Sequence, residues 1–414
     1  MRGETDMERI LSVSEAASAA QIQTAIDEVA QSGGGRVVLP AMDLELDRGL
    51  ALRSGIELCG QGSDTILRKG PGRIYPLSGY HNYGMCDAPL QSTEGLKVGM
   101  TVSLHDGRTH GGFYETFATI AWIEGDWVGL DHGIEADYRA EDAPCLTTVY
   151  PLVFAHNAQQ IALRDIHLEG NRAAQEKSMG GCRGSAVYFA RSRDIEVSNV
   201  SECDYHGEGL GFQMCRDVQI IDCQFDGNSG NGLHPGAGST NARFARCVAN
   251  DNDKAGFFFC VRANHITVDD CRFFSNRYGV SIGTRDCHNV LTGCTMQDNR
   301  GPGVLVRASP FPVEVHSCRI EGCVVSGNAS EEGRGQIEIA GDAHDLVVRE
   351  CAIGAGACGI YVEEPARSIH IVDNDIDCGV NVHSTRESLT SEEPAFNAGY
   401  GVGTEAVYRH LIRA

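Results

Sequence analysis

Ionisable side chains that could move protons recur between residues 204 and 307 of this 414-residue chain. Asp251 and Asp253 are two carboxylates one residue apart, and Asp286 is a third further along. Cleavage of a glycosidic bond by water needs two carboxyl groups, one protonated and one ionised. His234, in the stretch GLHPG at 232–236, offers an imidazole whose small neighbours leave room for a ligand. These residues predict acid–base chemistry, provided that the fold brings them together.

Three residue types recur with a period of about 23–24 residues, which indicates a repeat architecture. The columns are Cys203, Cys223, Cys247, Cys271, Cys294 and Cys318; Asn228, Asn252, Asn276 and Asn299; and Gly209, Gly232, Gly256, Gly279 and Gly303. After each glycine, apolar residues alternate with polar ones, a pattern typical of strands. The period is shorter than that of common helical repeats, and it predicts an all-β, right-handed parallel β-helix whose coils stack about 4.8 Å apart.

Each column has a simple structural interpretation. The cysteines are expected to point inward as a stack of small apolar side chains. No CxxC pair has zinc-binding spacing, so no metal site is predicted. The asparagines are expected to form a buried ladder of side-chain amides at a turn. The glycines are expected to supply a positive φ where the next strand begins.

Strand alternation places the second and fourth residues after each glycine on one outward face. His234 is therefore predicted to project from that face, one coil from Phe258, whose ring could stack on a sugar. The candidate catalytic residues are Asp253, Asp286, His234 and Asp251, with Asp253 and Asp286 as the leading acid pair across a groove. The candidate substrate-binding residues are Arg262, Phe258, Arg285, Arg307, Gln213, Lys254 and His206.

Each of these residues also has a purely structural interpretation. Aspartate is common in turns because its side chain bonds nearby backbone groups. The arginines and Lys254 could be solvated charges or ion-pair partners of nearby acids. His234 could be a surface histidine beside a turn that Pro235 and the glycines accommodate.

The N-terminal stretch AAQIQTAIDEVAQSGGGRVVLP combines a short amphipathic helix, a triple glycine and a strand. Ile22, Ala25, Ile26 and Val29 share one face of that helix. This stretch resembles the N-terminal cap of the pectate-lyase-like (pectin-lyase-fold) superfamily. Together with the period, the resemblance to that superfamily extends over residues 20–383. The resemblance implies a solenoid whose open end the helix covers, and an activity on carbohydrates. The superfamily hosts lyases, hydrolases, epimerases, esterases and phage spikes, so the fold does not select the reaction.

The period divides the chain into four predicted segments: a cap with first coils at 1–70, a β insertion at 71–151, regular coils at 152–388 and a C-terminal cap at 389–414. Both tryptophans, Trp122 and Trp127, belong to the insertion. We expect them to form its small core; a sugar-stacking platform is the alternative.

The net charge of −22 disfavours nucleic acid and anionic membranes as partners, since both need a basic protein face. No apolar run reaches the roughly 18 residues of a membrane span. The first residues lack the apolar segment of a secretory signal, and 17 cysteines then favour reduced thiols in a cytoplasm. Association into a homo-oligomer is compatible with such a solenoid.

The sequence favours a glycoside hydrolase acting on an oligo- or polysaccharide through carboxylate acid–base catalysis, without a cofactor. The first alternative is a uronate lyase or epimerase, which would need convergent, desolvated arginines or a divalent cation such as Ca²⁺ to neutralise the uronate. The second is a non-catalytic glycan-binding β-helix, which would lack paired carboxylates with opposed pKa shifts.

Overall fold

The structure, a computed structural model, describes residues 10–108, 115–148, 150–176 and 184–385. Backbone contacts divide the chain into two compact units: Met1–Gln213 with Asn228–Gly230, and Met214–Gly227 with Asn231–Ala414. Short strands make up most of both units, as the alternating sequence predicts. The segment 389–414, predicted as a C-terminal cap, lies outside the described residues.

The first unit contains one α-helix and sixteen strands among its described residues. In chain order they are β1 (Ile10–Ser12), α1 (Ala19–Gln31), β2 (Gly35–Val38), β3 (Met42–Leu46), β4 (Leu50–Ala51), β5 (Ile56–Lys69), β6 (Ile74–Pro76), β7 (Asp87–Pro89), β8 (Thr101–His105), β9 (Thr116–Glu124), β10 (Trp127–Leu130), β11 (Cys145–Thr147), β12 (Val153–His156), β13 (Gln159–Glu169), β14 (Ser185–Ala190), β15 (Arg193–Cys203) and β16 (Glu208–Gln213).

Helix α1 covers the first parallel strands. Ser18 caps it, accepting a hydrogen bond from the backbone N–H of Gln21, whose side chain accepts one from the backbone of Ser18. Ile22, Ile26 and Val29 are fully buried on the helix face that packs on β2 to β5. The parallel strands behind it pair in two sets, β1–β2–β5–β13–β15 and β4–β12–β14–β16. The predicted helical cap is confirmed. No described helix is long and apolar enough to cross a membrane.

The insertion is a six-stranded antiparallel sheet in the order β6-β11-β8-β9-β10-β7. Its core consists of buried aliphatic residues such as Leu90, Val102 and Val128. The expectation that the two tryptophans form this core was wrong, because Trp122 and Trp127 are 42% and 43% exposed. They share the face of the sheet that points away from the core.

Twenty-one strands lie in the described part of the second unit. In chain order they are β17 (Arg216–Ile221), β18 (Gln224–Asp226), β19 (Leu233–Pro235), β20 (Thr240–Ala245), β21 (Val248–Asn250), β22 (Ala255–Phe258), β23 (Asn264–Asp269), β24 (Arg272–Phe274), β25 (Tyr278–Ile282), β26 (Val290–Thr292), β27 (Thr295–Gln297), β28 (Val304–Val306), β29 (Arg319–Glu321), β30 (Val324–Ser326), β31 (Ile337–Ile339), β32 (His344–Arg349), β33 (Ala352–Gly354), β34 (Cys358–Val362), β35 (Arg367–Val372), β36 (Asp375–Asp377) and β37 (Val380–Ser384).

Every third strand of this unit pairs in parallel, so each coil contributes one strand to each of three ladders. The first ladder begins β17–β20–β23, the second β18–β21–β24 and the third, which we call the site ladder, β19–β22–β25. The site ladder continues through β28, β31, β34 and β37. The predicted parallel β-helix is thereby confirmed.

Buried asparagine side chains form a ladder of amides at the turn between each strand of the second ladder and the following strand of the site ladder. The Oδ1 atoms of Asn276, Asn299 and Asn328 each accept the backbone N–H of the asparagine one coil earlier, at 2.9, 3.0 and 3.1 Å. The Nδ2 atoms donate to backbone carbonyls, as Asn276 does to Ala249 at 3.0 Å. Gln336 ends the ladder by accepting from the Asn328 backbone. The predicted amide ladder is present in Asn252, Asn276 and Asn299.

The glycine column has a different cause from the one expected. Gly232, Gly256, Gly279 and Gly303 are absent from the glycines with positive φ. A Cβ at Gly256 would instead lie 2.7 Å from Nδ2 of Asn276, and one at Gly303 would lie 2.7 Å from Nδ2 of Asn328. The glycines are therefore needed because the amide ladder packs directly against their backbone.

The cysteine column is buried, as predicted, but its membership differs. Strand register aligns Cys223, Cys247, Cys271, Cys294, Cys323 and Cys351, each just before a strand of the second ladder. Cys318 precedes β29 of the first ladder, and Cys203 ends β15 in the first unit. The column shifts to Cys323 because the coil before it is longer.

Four histidine rings form a row along the second unit near the start of the first ladder, with two stacked pairs joined by an edge-on contact; we call this row the histidine stack. Ring centroids of His265 and His288 are 4.9 Å apart, those of His288 and His316 are 5.3 Å apart, and those of His316 and His344 are 5.2 Å apart. Burial and the neighbouring histidines lower the pKa of His288 and His316. Glu314 and Asp345 contact His344 at one end of the row.

Replacement of Asn276 by alanine should destabilise the second unit by about 2–4 kcal/mol, because it removes the side-chain acceptor of the buried Asn252 N–H and the side-chain donor to the Ala249 carbonyl. Urea denaturation followed by circular dichroism measures this loss. Asn381→Ala is the matched control, since Asn381 is an exposed asparagine in β37 of the same unit, with an ordinary negative φ; we expect a change within about 0.5 kcal/mol. Equal losses in both variants would contradict the role of the ladder.

The histidine stack should make the second unit less stable in acid. Because the folded pKa values of His288 and His316 lie below the ordinary 6.5, their contribution is complete above pH 6.5 and is lost as the pH falls towards the folded values. The variant His288→Gln with His316→Gln should therefore show a shallower loss of stability between pH 7 and pH 5. Parallel pH profiles of thermal unfolding for wild type and variant would disprove this link.

Candidate functional site

The outward face of the site ladder places one side chain per coil in a row. Register aligns Phe258 with Ser281, Ser281 with Leu305, and Leu305 with Glu338. Pairing of Leu233 with Phe257 puts His234 beside Phe258 in the same row. The inward neighbours Leu233 and Phe257 are fully buried in the core, so the predicted alternation of faces holds here.

Two aromatic contacts organise this row. The ring of His234 meets the ring of Phe258 edge-on, with centroids 5.1 Å apart. The guanidinium carbon of Arg307 lies 4.2 Å from the centroid of Phe258, within the range of a cation–π contact. His234 is buried, which corrects the prediction that it projects into solvent; Phe258 covers one side of its ring.

Arg307 reaches back along the solenoid axis across two coils. Its Nη1 donates to Ser281 Oγ at 2.5 Å, and its Nη2 donates to the carbonyl of Phe259 at 2.9 Å. Nη2 also lies 3.6 Å from Oδ2 of Asp286. The side chain is 27% exposed, and burial lowers its pKa. The structure thus holds a partly desolvated cation in one orientation at the surface.

Asp286 is fully buried in the turn after β25. Its Oδ1 accepts the backbone N–H of Ala263 at 3.0 Å, and its Oδ2 accepts that of Gly283 at 2.8 Å. Burial raises the pKa of Asp286 to about 7, against the lowering effect of these amides, Arg307 and His234. The carboxyl therefore positions Arg307 and fixes two turns, and it can hold a proton near neutral pH.

The arrangement brings together a fixed cation, a titratable carboxyl, an imidazole and an aromatic ring. It can neutralise a ligand anion at Arg307 and exchange a proton within the same cluster. Among the described residues, no group of three His, Cys, Asp or Glu side chains has the geometry to hold a metal ion.

The predicted acid pair is not assembled. Asp253 is exposed between β21 and β22, whereas Asp286 is buried beyond the end of β25. Because Ala255 aligns with Tyr278, the length of β25 alone separates them by about 13 Å at 3.3 Å per residue. The prediction of a catalytic Asp253–Asp286 pair is therefore wrong. The period correctly assigned the two residues to neighbouring coils, but it did not show that they lie at opposite ends of the strand.

The other predicted charged residues lie away from the cluster. Asp251 and Lys254 are exposed at the same end as Asp253, and Asp251 has a positive φ of 54° that fits its role in a turn. Arg262 and Arg285 are exposed in successive turns, also with positive φ. They do not converge on Arg307, since each turn points its side chain into solvent.

Two predicted residues belong to the first unit. Gln213 ends β16 and is buried, with its carbonyl accepting the N–H of Arg191 at 2.9 Å. His206 lies half-buried in the turn before β16, with Nδ1 3.1 Å from Ser229 Oγ.

Sequence reasoning missed Ser281 and Gly283 as functional residues. The Ser281 hydroxyl oxygen accepts a hydrogen bond from the guanidinium of Arg307. Its outward position between Phe258 and Leu305 could have indicated this role from the sequence. A Cβ on Gly283 would overlap the guanidinium of Arg307, so any other residue there would displace that guanidinium. Gly283 lies outside the periodic glycine column, and that exceptional position could have indicated a functional site.

A family model described as the right-handed β-helix region matches residues 153–294. No curated protein matches the sequence significantly. Among solved structures, the A-module of the mannuronan C-5 epimerase AlgE6 from Azotobacter vinelandii aligns with a TM-score of 0.58 and 15% identity, covering 90% of this chain and 95% of that chain. The chain has the right-handed parallel β-helix fold.

Other solved β-helices align over similar lengths. PfbA, a surface adhesin of Streptococcus pneumoniae, gives a TM-score of 0.54 at 14% identity, covering 91% of this chain and 91% of that chain. A hyperthermoactive exopolygalacturonase from Thermotoga maritima gives 0.50 at 11% identity, covering 91% and 90%. At these identities the likeness establishes the fold of this β-helix alone.

Asp286 should give the β-helix a distinctive pH dependence. The unfolded chain loses this proton near the ordinary pKa of 3.8, whereas the folded chain keeps it to about pH 7. The contribution of Asp286 to stability should therefore fall by roughly 1 kcal/mol per pH unit across that window. The free energy of unfolding of wild type minus that of Asp286→Asn, measured from pH 4 to pH 8, should decrease and then level off. A difference that is constant with pH, or matches that of the exposed Asp270→Asn, would refute the raised pKa.

Proposed function

We propose that this β-helix acts on a uronate-containing glycan, and that Arg307 binds the carboxylate of the reacting sugar. The observation that supports this most strongly is the partly desolvated guanidinium on the outward face of the site ladder. An anionic ligand would restore the electrostatic stabilisation that burial removes from this cation.

Arg307 retains hydrogen-bonding capacity for such a ligand. A guanidinium has five N–H donors, and the contacts to Ser281 and Phe259 use two of them. Asp286 opposes it at 3.6 Å, beyond hydrogen-bond distance. The remaining donors and the exposed part of the side chain suit a planar carboxylate.

The reaction class follows from what this cluster contains. Neutralising a uronate carboxylate acidifies the neighbouring C5–H bond, and in this proposal the imidazole of His234, which lies beside Phe258, takes that proton. If the C4–O bond then breaks, its electrons leave with the oxygen and a C4=C5 double bond forms. If a proton returns to the other face of C5, the sugar is epimerised. Asp286 acts as a positioning residue that holds Arg307, and Phe258 offers its ring to the sugar.

The names of two structural neighbours are consistent with a glycan substrate. One is a mannuronan C-5 epimerase and another an exopolygalacturonase. These names support the class of substrate for our proposal and leave the choice of reaction to the residues of the site.

Hydrolysis of a glycosidic bond is the second candidate. The pKa of about 7 favours it, because Asp286 could hold the proton that a general acid needs. The predicted partner Asp253 cannot serve as the ionised carboxylate opposite it, since Asp253 lies a strand length away. For this reason we rank hydrolysis below proton abstraction next to a uronate.

A panel of uronate and neutral oligosaccharides tests the proposal. Reducing ends, ultraviolet absorbance of unsaturated products and proton NMR of sugar configuration are followed for each, in EDTA and in Ca²⁺. We expect absorbance or epimerisation with a uronate, in EDTA as well, because Arg307 supplies the neutralising charge. Arg307→Met should lower kcat/KM by about 100-fold or more, with partial recovery in Arg307→Lys.

Arg272→Met is the matched control, because Arg272 is an exposed arginine of the same unit on another ladder. It should leave the rate unchanged. New reducing ends from neutral sugars without absorbance, abolished in Asp286→Asn, would favour hydrolysis instead. Uronate turnover that survives Arg307→Met would overturn the proposed role of the arginine.

A further inference from the structure

The outward face of the insertion sheet carries two exposed indoles. We define the indole platform as these two tryptophans and their neighbours: Trp122, Glu124, Trp127, Asp87 and His81. The tryptophan side chains are 42% and 43% exposed. They are the only two tryptophans in the chain. Exposed indoles are costly to leave in water and rarely needed for folding, so their position requires an explanation.

Strand register puts both indoles on one face. In the hairpin of β9 and β10, Trp127 pairs with Glu124 and Gly129 pairs with Trp122, while Ile123 pairs with Val128 on the other side. Val128 is fully buried in the core of the insertion. The two tryptophans are therefore diagonal cross-strand neighbours, close enough to form one continuous surface.

Glycine beneath Trp122 makes this surface flat. A Cβ on Gly129 would overlap the indole of Trp122, so the ring lies across the strand. Trp127 is braced from the other side by His81, whose ring centroid is 6.2 Å away in an edge-on contact. The aromatic faces are thus held in place before any ligand arrives, which lowers the entropy cost of binding.

The polar groups around the indoles are acceptors of hydrogen bonds. Asp87 aligns with Gly129 on the adjacent strand, and its Oδ1 lies 3.1 Å from Nε2 of His81. Glu124 is exposed directly opposite Trp127. The platform itself contains no lysine or arginine, so its charge suits hydroxyl groups and disfavours carboxylates.

We propose that the indole platform binds neutral pyranose sugars, with the apolar C–H face of the ring on Trp122 and Trp127 and hydroxyl groups donating to Glu124 and Asp87. The combination of flat aromatic surface and adjacent acceptors fits the two kinds of surface on a pyranose. This site differs in charge from the arginine cluster. It is argued from other residues, so it stands independently of the proposed reaction.

Intrinsic fluorescence provides a direct test, because every tryptophan of the protein belongs to this platform. The full-length protein is titrated with cellohexaose, mannohexaose, xylohexaose and maltohexaose, and with hexagalacturonate as the anionic counterpart. We expect a saturable blue shift of the emission with at least one neutral probe and none with hexagalacturonate. Calorimetry on the same samples gives the affinity independently of fluorescence.

Trp122→Ala and Trp127→Ala should each weaken binding of that neutral probe by about tenfold or more. Tyr83→Ala is the matched control, since Tyr83 is a 72% exposed aromatic of the same insertion outside the platform, and it should bind like wild type. Circular dichroism verifies that each variant is folded. Arg307→Met should keep the fluorescence response, which separates this site from the proposed reaction.

Several outcomes would overturn the proposal. One is the absence of binding to all four neutral probes at millimolar concentration. Another is equal affinity of wild type and both tryptophan variants. A third is a concentration-dependent dimer in sedimentation experiments that both variants abolish, which would make the platform an interface between copies of the chain.

Discussion

The buried amide ladder is the constraint on which the second unit depends. The side chains of Asn276, Asn299 and Asn328 each accept a backbone N–H of the preceding coil, which fixes the spacing between successive turns. The ladder in turn requires a column of glycines, because the amides lie against their backbone. The buried asparagine side chains therefore set the register of the strands in the site ladder.

Fixed register explains why the arginine cluster can exist. Phe258 and Ser281 occupy equivalent positions along the strands of adjacent coils, so Arg307 contacts a ring and a hydroxyl at defined distances along the axis. Asp286 adds its charge from a turn that the Ala263 and Gly283 amides hold in place. A cation in this position needs no movement to meet an anionic ligand.

The sequence predicted what periodicity encodes. It predicted the parallel β-helix, the helical cap, the asparagine ladder and the outward row containing His234 and Phe258. It did not predict how deeply a side chain is buried or where along a strand it lies. A period identifies equivalent residues in successive coils, but it does not show which other residues cover them. Asp253 and Asp286 were therefore paired wrongly, and the indoles of Trp122 and Trp127 were assigned to a core. Cysteine membership failed where one coil lengthens, before Cys323.

In a solenoid, a side chain that lies along the axis must pass over the next coil, and an ordinary residue there would block it. Gly283 removes that obstacle for Arg307, just as Gly129 does for Trp122 on the insertion sheet. Neither glycine has a positive φ, so backbone conformation does not explain them. Each is needed because a large side chain lies flat above it. Gly283 and Gly129 thus mark two places where this fold exchanges regular packing for a pre-positioned side chain.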